Sequence, residues 1–391
     1  MTRSVDAMAE EAVRARYKKA ANTMEPALCC PVNYDPRFLE AIPEAVLERD
    51  YGCGDPSKYL KEGDTVLDLG SGGGKICFIA SQVVGAEGTV IGVDMNNDML
   101  ALAHEAAPKV AGTIGWDNVT FHKGRIQDLA VDMDKVEAWL ADHPVTNAED
   151  LGAVEAYMAE LRSQEPMIAD NSIDVVVSNC VLNLVRPADK AQLFREIHRV
   201  LKPGGRAVIS DIVCDEEVPQ SLQEDPKLWS GCISGAFRED QFLQAFAQAG
   251  LYGIRILEYG TDPWQVVDGI EFRTVTVEAF KGKEGPCWER NQAVMYMGPW
   301  KRVEDDDGHV LERGIRMAVC DKTYQIMTRA PYRDQIVGIT PQHLIDLDDA
   351  QPFACSVESR VRDPKETKGG VMSLGEGFEK GGACAPGGEC C

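Results

Sequence analysis

The sequence predicts an α/β chain: an open, mostly parallel sheet wound with helices on both faces, followed by a small β-rich domain. Three observations carry that expectation. Between residues 65 and 249, short strand-like runs alternate with helix-length segments, the order that parallel strands and their crossover helices produce. The first run leads into Gly70-Ser71-Gly72-Gly73-Gly74, a glycine turn from strand to helix. After Phe280 the composition shifts and only short strand candidates follow.

Residues 4–22 place Val5, Met8, Ala12, Val13 and Tyr17 at helical spacing with a charged opposite face. A second helical segment is expected over 36–50, with Cys29-Cys30-Pro31 between the two, so residues 1–52 read as an N-terminal cap. Strands are expected at Thr65–Leu69, Thr89–Val93, Val119–Lys123, Ile173–Asn179 and Arg206–Ile212, within a sheet domain spanning 53–280. Helices are expected at 75–84, 97–107, 189–201 and 238–249. A polar, acidic stretch at 131–166, holding Trp139 and Tyr157, interrupts the alternation and reads as a helical insertion or lid. Residues 281–358 form the β-rich domain, with strand candidates over Arg290–Met327 and a hairpin turn at Asp306-Asp307-Gly308. The Gly-, Lys- and Glu-rich residues 359–391 read as a flexible tail ending in Cys384, Cys390 and Cys391.

At 391 residues, one large domain with a smaller appendage is the expected organisation. A hydrophobic content of 44% is enough to bury a full core. The formal charge of −23 argues against nucleic-acid or anionic-membrane partners, because both would repel so acidic a surface. No run approaches the roughly 18 uninterrupted apolar residues a bilayer span requires, and the N-terminus lacks the apolar core of a signal peptide. A cytoplasmic monomer is expected. In that reducing compartment 13 cysteines point to metal binding or redox chemistry rather than a disulfide framework.

Glycines suit the first turn because the backbone must bend sharply and approach a ligand. A dinucleotide fingerprint would need a glycine where Lys75 stands. What stands from Asp68 to Gly74 is Asp-x-Gly-x-Gly-x-Gly, which resembles the first motif of S-adenosylmethionine-dependent methyltransferases. The resemblance implies the Rossmann-like, doubly wound sheet of the class I enzymes, with the loop passing under the methionine and ribose of the methyl donor. Asp94, in Ile91-Gly92-Val93-Asp94-Met95, then stands where an acidic residue holds the ribose hydroxyls; a carboxylate can accept from both. Gly124-Arg125-Ile126-Gln127-Asp128 places Arg125 and Ile126 beside the adenine, and Leu201-Lys202-Pro203-Gly204-Gly205 is a turn frequent in this class. The implied cofactor residues are Asp68, Gly70, Gly72, Gly74, Asp94, Met95, Arg125, Ile126 and Asn179.

Three cysteines are flanked by Gly, Asn or Ser: Cys53 in Tyr51-Gly52-Cys53-Gly54, Cys180 in Ser178-Asn179-Cys180-Val181-Leu182-Asn183-Leu184, and Cys232 in Gly231-Cys232-Ile233-Ser234-Gly235. With the glycine loop, these stretches are similar to arsenite methyltransferases over residues 25–285. The resemblance implies trivalent arsenic, as arsenite or its thiol conjugates, held by Cys53, Cys180 and Cys232. It further implies that Cys29 or Cys30 forms a disulfide with Cys53 during turnover. The chemistry is coherent: soft thiolates prefer soft ions, and a metalloid with three sulfur ligands keeps a lone pair able to attack a sulfonium methyl. No general base is needed, only positioning at near-attack distance. Arsenic emerges pentavalent, so a protein dithiol must reduce it, and a thioredoxin-like protein or glutathione must reopen the resulting disulfide.

Another soft acceptor, such as selenium, tellurium or a small-molecule thiol, fits the same scaffold, and so does a metalloid-binding protein without turnover. Cys77 and Cys214 read as small apolar fillers, and packing is the favoured reading for Cys287, Cys320 and Cys355. The tail cysteines read equally as metalloid ligands or as incidental thiols. His198 reads as packed or surface-exposed, and Trp229 and Trp264 as core.

Overall fold

Valine, isoleucine and leucine runs covered on both faces become five parallel strands: β1 (Thr65–Leu69), β2 (Thr89–Asp94), β3 (Val119–Lys123), β4 (Ile173–Asn179) and β5 (Leu201–Cys214). The computed structural model describes residues 5–23, 25, 32–355 and 360–369. They divide into one unit running to Gly282 and another from Lys283.

In the first unit the strand order is β3-β2-β1-β4-β5, with Val66 level with Val90 on one side and Val175 on the other. Alternate residues feed two cores, as the two-residue period of a strand requires. Leu67, Leu69 and Val176 pack with Phe194, Phe242 and Phe246 on one face; Val66, Val90, Val175 and Val177 pack with Phe78 and Phe121 on the other.

The sheet continues past the expected strands. β6 (Phe237–Arg238) runs parallel to β5, while β7 (Tyr252–Tyr259), β8 (Gln265–Val267) and β9 (Ile270–Phe280) add an antiparallel extension. β9 pairs with β5 from Arg206–Phe280 to Cys214–Phe272, and with β7 on its other edge. Its signal is diluted by Arg273 and Glu278, charged residues that are nonetheless buried; Glu278 pairs there with Arg255.

Helices Lys75–Val84, Asn97–Ile114, Pro187–Val200 and Glu239–Gln248 cover the sheet. The second runs seven residues beyond its expected end at 107, passing through Pro108 and stopping at the left-handed Gly115. The segment expected as one helix over 36–50 is instead two single turns, Pro36–Leu39 and Glu44–Leu47. Pro43 between them has no N–H to donate and closes off a continuous helix. The N-terminal helix spans Val5–Ala20.

The interrupting stretch forms helices Met133–Asp142 and Ala148–Gln164. They close on Val131, Val136 and Leu161, and Trp139 stacks on Tyr157 at 5.1 Å.

The second unit centres on Ala293–Tyr296, flanked antiparallel by Arg316–Ala318 and Ile336–Ile339. Arg302–Glu304 and Val310–Glu312 form the expected hairpin, its turn containing Gly308 in the left-handed region. The stretch read as strand up to Met327 ends instead in the helix Asp321–Met327. Residues 360–369, expected in the flexible tail, also belong to this unit. Arg362 is fully buried there and pairs with Glu289 and Glu366.

Candidate active site

The strand order reverses beside β1, and at that switch point the C-terminal ends of parallel strands leave a crevice. A cavity of about 260 Å³ occupies it. Asp68, Gly70, Ser71, Gly72 and Gly73 line it from β1 and its turn, Asp94 and Met95 from the end of β2, Arg125 and Ile126 from beyond β3, and Asn179 and Cys180 from the end of β4. Gly70 is left-handed at φ +72°, and a Cβ there would meet Val181 at 2.5 Å. Gly74, expected against the cofactor, does not line the cavity; it is the left-handed N-cap of helix Lys75–Val84.

Asp94 organises the turn. Its Oδ2 accepts the Gly72 N–H at 2.9 Å and its Oδ1 the Asn96 N–H at 2.7 Å. Burial raises its pKa above the usual carboxylate value, and those N–H groups hold it back. Burial pushes Asp68 up to about 7, against a hydrogen bond from Cys77 Sγ at 3.3 Å. Cys77 therefore serves a polar partner as well as the core. Ser71 Oγ is buried with no hydrogen-bond partner. A cavity offering buried acids and an orphaned hydroxyl fits a ligand with a cationic amino-acid end and hydroxyls, such as S-adenosylmethionine.

Of the three thiols, Cys180 lines this cavity. Asn179, the last residue of β4, reaches back with both ends of its amide. Its Oδ1 accepts the Cys53 and Gly54 N–H groups at 2.8 and 3.0 Å; its Nδ2 donates to the Gly54 carbonyl at 2.7 Å and to the Tyr34 hydroxyl at 3.2 Å. The approach is so close that a Cβ on Gly52 would lie 2.1 Å from Nδ2. Asn179 was expected to hold cofactor; it lines the cavity, but its hydrogen bonds go to the Cys53 turn.

Cys180 and Cys232 both adopt left-handed backbone, at φ +64° and +63°. That conformation costs a residue with a Cβ about 1–2 kcal/mol and clusters at functional positions. The Sγ atoms of Cys53 and Cys180 and a carboxylate oxygen of Asp211 lie within 4.8 Å of one another, all on buried residues. Cys232 packs in one apolar cluster with Cys53 and Cys180 but stands outside that 4.8 Å group, and its Sγ donates to the Cys180 carbonyl at 3.4 Å. Tyr17 is hydrogen-bonded to Cys232; burial, then repulsion from Cys232 and Cys180, raises its hydroxyl well above its ordinary value.

Sequence reasoning missed Asp211 and Tyr17 as site residues, because one is a single acid inside a strand and the other one apolar position of a helix. Burial pushes Asp211 up to about 6, although the Ile212 and Leu182 N–H groups bond it at 2.8 and 2.9 Å. Cys214 packs in the same cluster, its thiol raised to about 12 by burial. Cys29 and Cys30 lie outside the described residues.

Residues 60–165 and 146–250 match a family described as a methyltransferase domain, and residues 283–372 match a domain of unknown function. With the sheet and the cavity above, the chain is an S-adenosylmethionine-dependent methyltransferase. More particularly, it belongs to the arsenite methyltransferase family. It is 32% identical to an arsenite methyltransferase of Aquipseudomonas alcaligenes, over 85% of this chain and 92% of that one. It is 34% identical to an arsenite methyltransferase of Homo sapiens, over 75% and 72%. The crystal structure of an arsenic(III) S-adenosylmethionine methyltransferase from Chlamydomonas reinhardtii superposes with a TM-score of 0.52 at 26% identity, covering 84% of this chain and 99% of that one.

Two outcomes test this geometry. Asn179→Ala leaves the Cys53 and Gly54 N–H groups without their acceptor, so unfolding in urea should show a loss of about 1–3 kcal/mol. Cys53 should also react faster with a thiol reagent; unchanged stability and reactivity would contradict the clamp. The second concerns pH. Asp68 is raised, so it is neutral below about 7 and charged above. A cationic ligand favours the charged form, so affinity for S-adenosylmethionine should fall as pH drops through 7, approaching tenfold per unit. Calorimetry at several pH values checks this, and Asp68→Asn should flatten the profile.

Proposed function

We propose that this chain transfers the methyl group of S-adenosylmethionine to trivalent arsenic held by the thiolates of Cys53, Cys180 and Cys232. The observation that supports this most is the double position of Cys180, which lines the methyl-donor cavity while its sulfur lies within 4.8 Å of that of Cys53. Arsenic bound there stands next to the donor.

Arsenous acid exchanges its three hydroxides for three thiols and releases three waters, without electron transfer. Turning Cys232 Sγ away from the Cys180 carbonyl completes the set, and Asp211 is placed to take a thiol proton as hydroxide leaves. The arsenic lone pair then forms a bond to the methyl carbon. The old carbon–sulfur bond breaks with its electrons on sulfur, giving S-adenosylhomocysteine, and arsenic passes from trivalent to pentavalent. A second thiolate then bonds to the Cys53 sulfur, the arsenic–sulfur bond to Cys53 breaks with its electron pair left on arsenic, and arsenic returns to the trivalent state. Cys53 with Cys29 or Cys30 is the proposed dithiol, and a thioredoxin-like protein or glutathione reopens the disulfide. Among the described residues no helix is long and apolar enough to cross a membrane.

Single Cys→Ser variants assayed with labelled methyl donor test the assignment. Cys180→Ser and Cys232→Ser should lower methylation of both arsenite and methylarsonous acid by about a hundredfold or more, since the reacting atoms lose their positioning. Cys53→Ser should spare methylarsonous acid, which needs only two sulfur ligands. Near-normal rates in both Cys180→Ser and Cys232→Ser would overturn the thiol mechanism.

A further inference from the structure

The unit beginning at Lys283 brings three cysteines together from three distant segments. Antiparallel pairing of Trp288 with Pro352 and of Glu289 with Gln351 carries Cys287 and Cys355 to the same end of a two-stranded ladder. The Phe353 N–H donates to the Cys287 carbonyl at 2.8 Å and fixes that end. Cys320 arrives from elsewhere, two residues beyond the strand Arg316–Ala318, as the N-cap of helix Asp321–Met327. Its sulfur accepts the Thr323 N–H at 3.4 Å and lies 3.2 Å from the Thr323 hydroxyl, so its direction is set by the fold.

All three sulfurs lie within 4.8 Å of one another. Their exposure is graded: Cys320 is buried, Cys287 half-buried and Cys355 exposed, which makes a thiol cup with a solvent-facing mouth. Among the described residues no histidine or carboxylate joins the group, unlike the cluster at Cys53, which includes Asp211.

We infer that Cys287, Cys320 and Cys355 form a second binding site for a trivalent, thiophilic metalloid, separate from the methyl-transfer site. Three soft donors without a nitrogen or oxygen ligand suit a pyramidal three-coordinate centre, whereas structural zinc is completed by four protein ligands. The choice of arsenic among soft three-coordinate ions rests on the proposed function. Uptake balances as at the first site: arsenous acid gives up three hydroxides, the thiols give up three protons, three waters leave, and no electrons move.

Differential alkylation of the full chain under a phosphine reductant, with and without arsenite, reads each cysteine separately by peptide mapping. At arsenite about ten times its dissociation constant, labelling of Cys287 and Cys355 should slow about tenfold and together. In Cys320→Ser, which keeps a good helix cap, that shared protection should be lost at both positions. Cys287→Ser should likewise expose Cys355. Unslowed labelling of Cys287 and Cys355, protection of one without the other, or protection by Zn(II) but not by arsenite would each overturn the assignment. Cys53, Cys180 and Cys232 are read in the same digest, so failure of the first site and failure of the second give different patterns.

Discussion

The amide of Asn179 is the constraint on which the rest of the site depends. It ends β4, one residue before Cys180, and four hydrogen bonds tie it to the Cys53 turn and Tyr34. A sheet positions strand ends well but leaves loops between elements loosely placed. By spending a half-buried side chain on backbone N–H and C=O groups that would otherwise need water, the fold ties the loop to the end of the strand. Gly52 permits the approach, because any side chain there would collide with the amide. Two thiols more than a hundred residues apart in the chain are thus brought together, and one of them, Cys180, lines the donor cavity.

Around that clamp the site is built from groups that water would hold differently. Asp68, Asp94 and Asp211 are all buried or lining the cavity, and burial raises all three above the usual carboxylate range. In a medium of low polarisability an unpaired carboxylate is expensive, so each is held by hydrogen bonds: the Cys77 thiol for Asp68 and backbone N–H groups for the other two. The arrangement separates two chemistries. Asp68, Asp94 and the Ser71 hydroxyl line the methyl-donor cavity, while Cys53 and Cys180 group with Asp211, and Cys180 belongs to both sets.

The parts of this architecture legible in the sequence are those written in local pattern. β1 to β5 read as apolar runs because both faces of the sheet are covered, and the glycine turn and Asp94 read through their spacing from β1. Chemistry that depends on distant neighbours was not legible. β9 hides its strand character behind Arg273 and Glu278, which only the folded sheet pairs and buries. Asp211 is one acid in an apolar strand until Cys53 and Cys180 are brought beside it. Cys287, Cys320 and Cys355 each look like packing, since nothing in their immediate flanks marks them; the ladder at Trp288 and the cap at Asp321 create the cluster. Gly74, in the same motif, has the left-handed backbone that starts the helix Lys75–Val84.

X-ray absorption at the arsenic edge tests the central claim most directly, using the arsenite-loaded chain with Cys287, Cys320, Cys355, Cys384, Cys390 and Cys391 all replaced by Ser so that the methyl-transfer site alone is read. The coordination number and ligand identity come straight from the spectrum. Three thiols, two of them brought together by the Asn179 clamp, predict a first shell of sulfur only, about three atoms, without oxygen. A first shell containing oxygen, from Asp211 or from retained hydroxide, would contradict the three-thiol account.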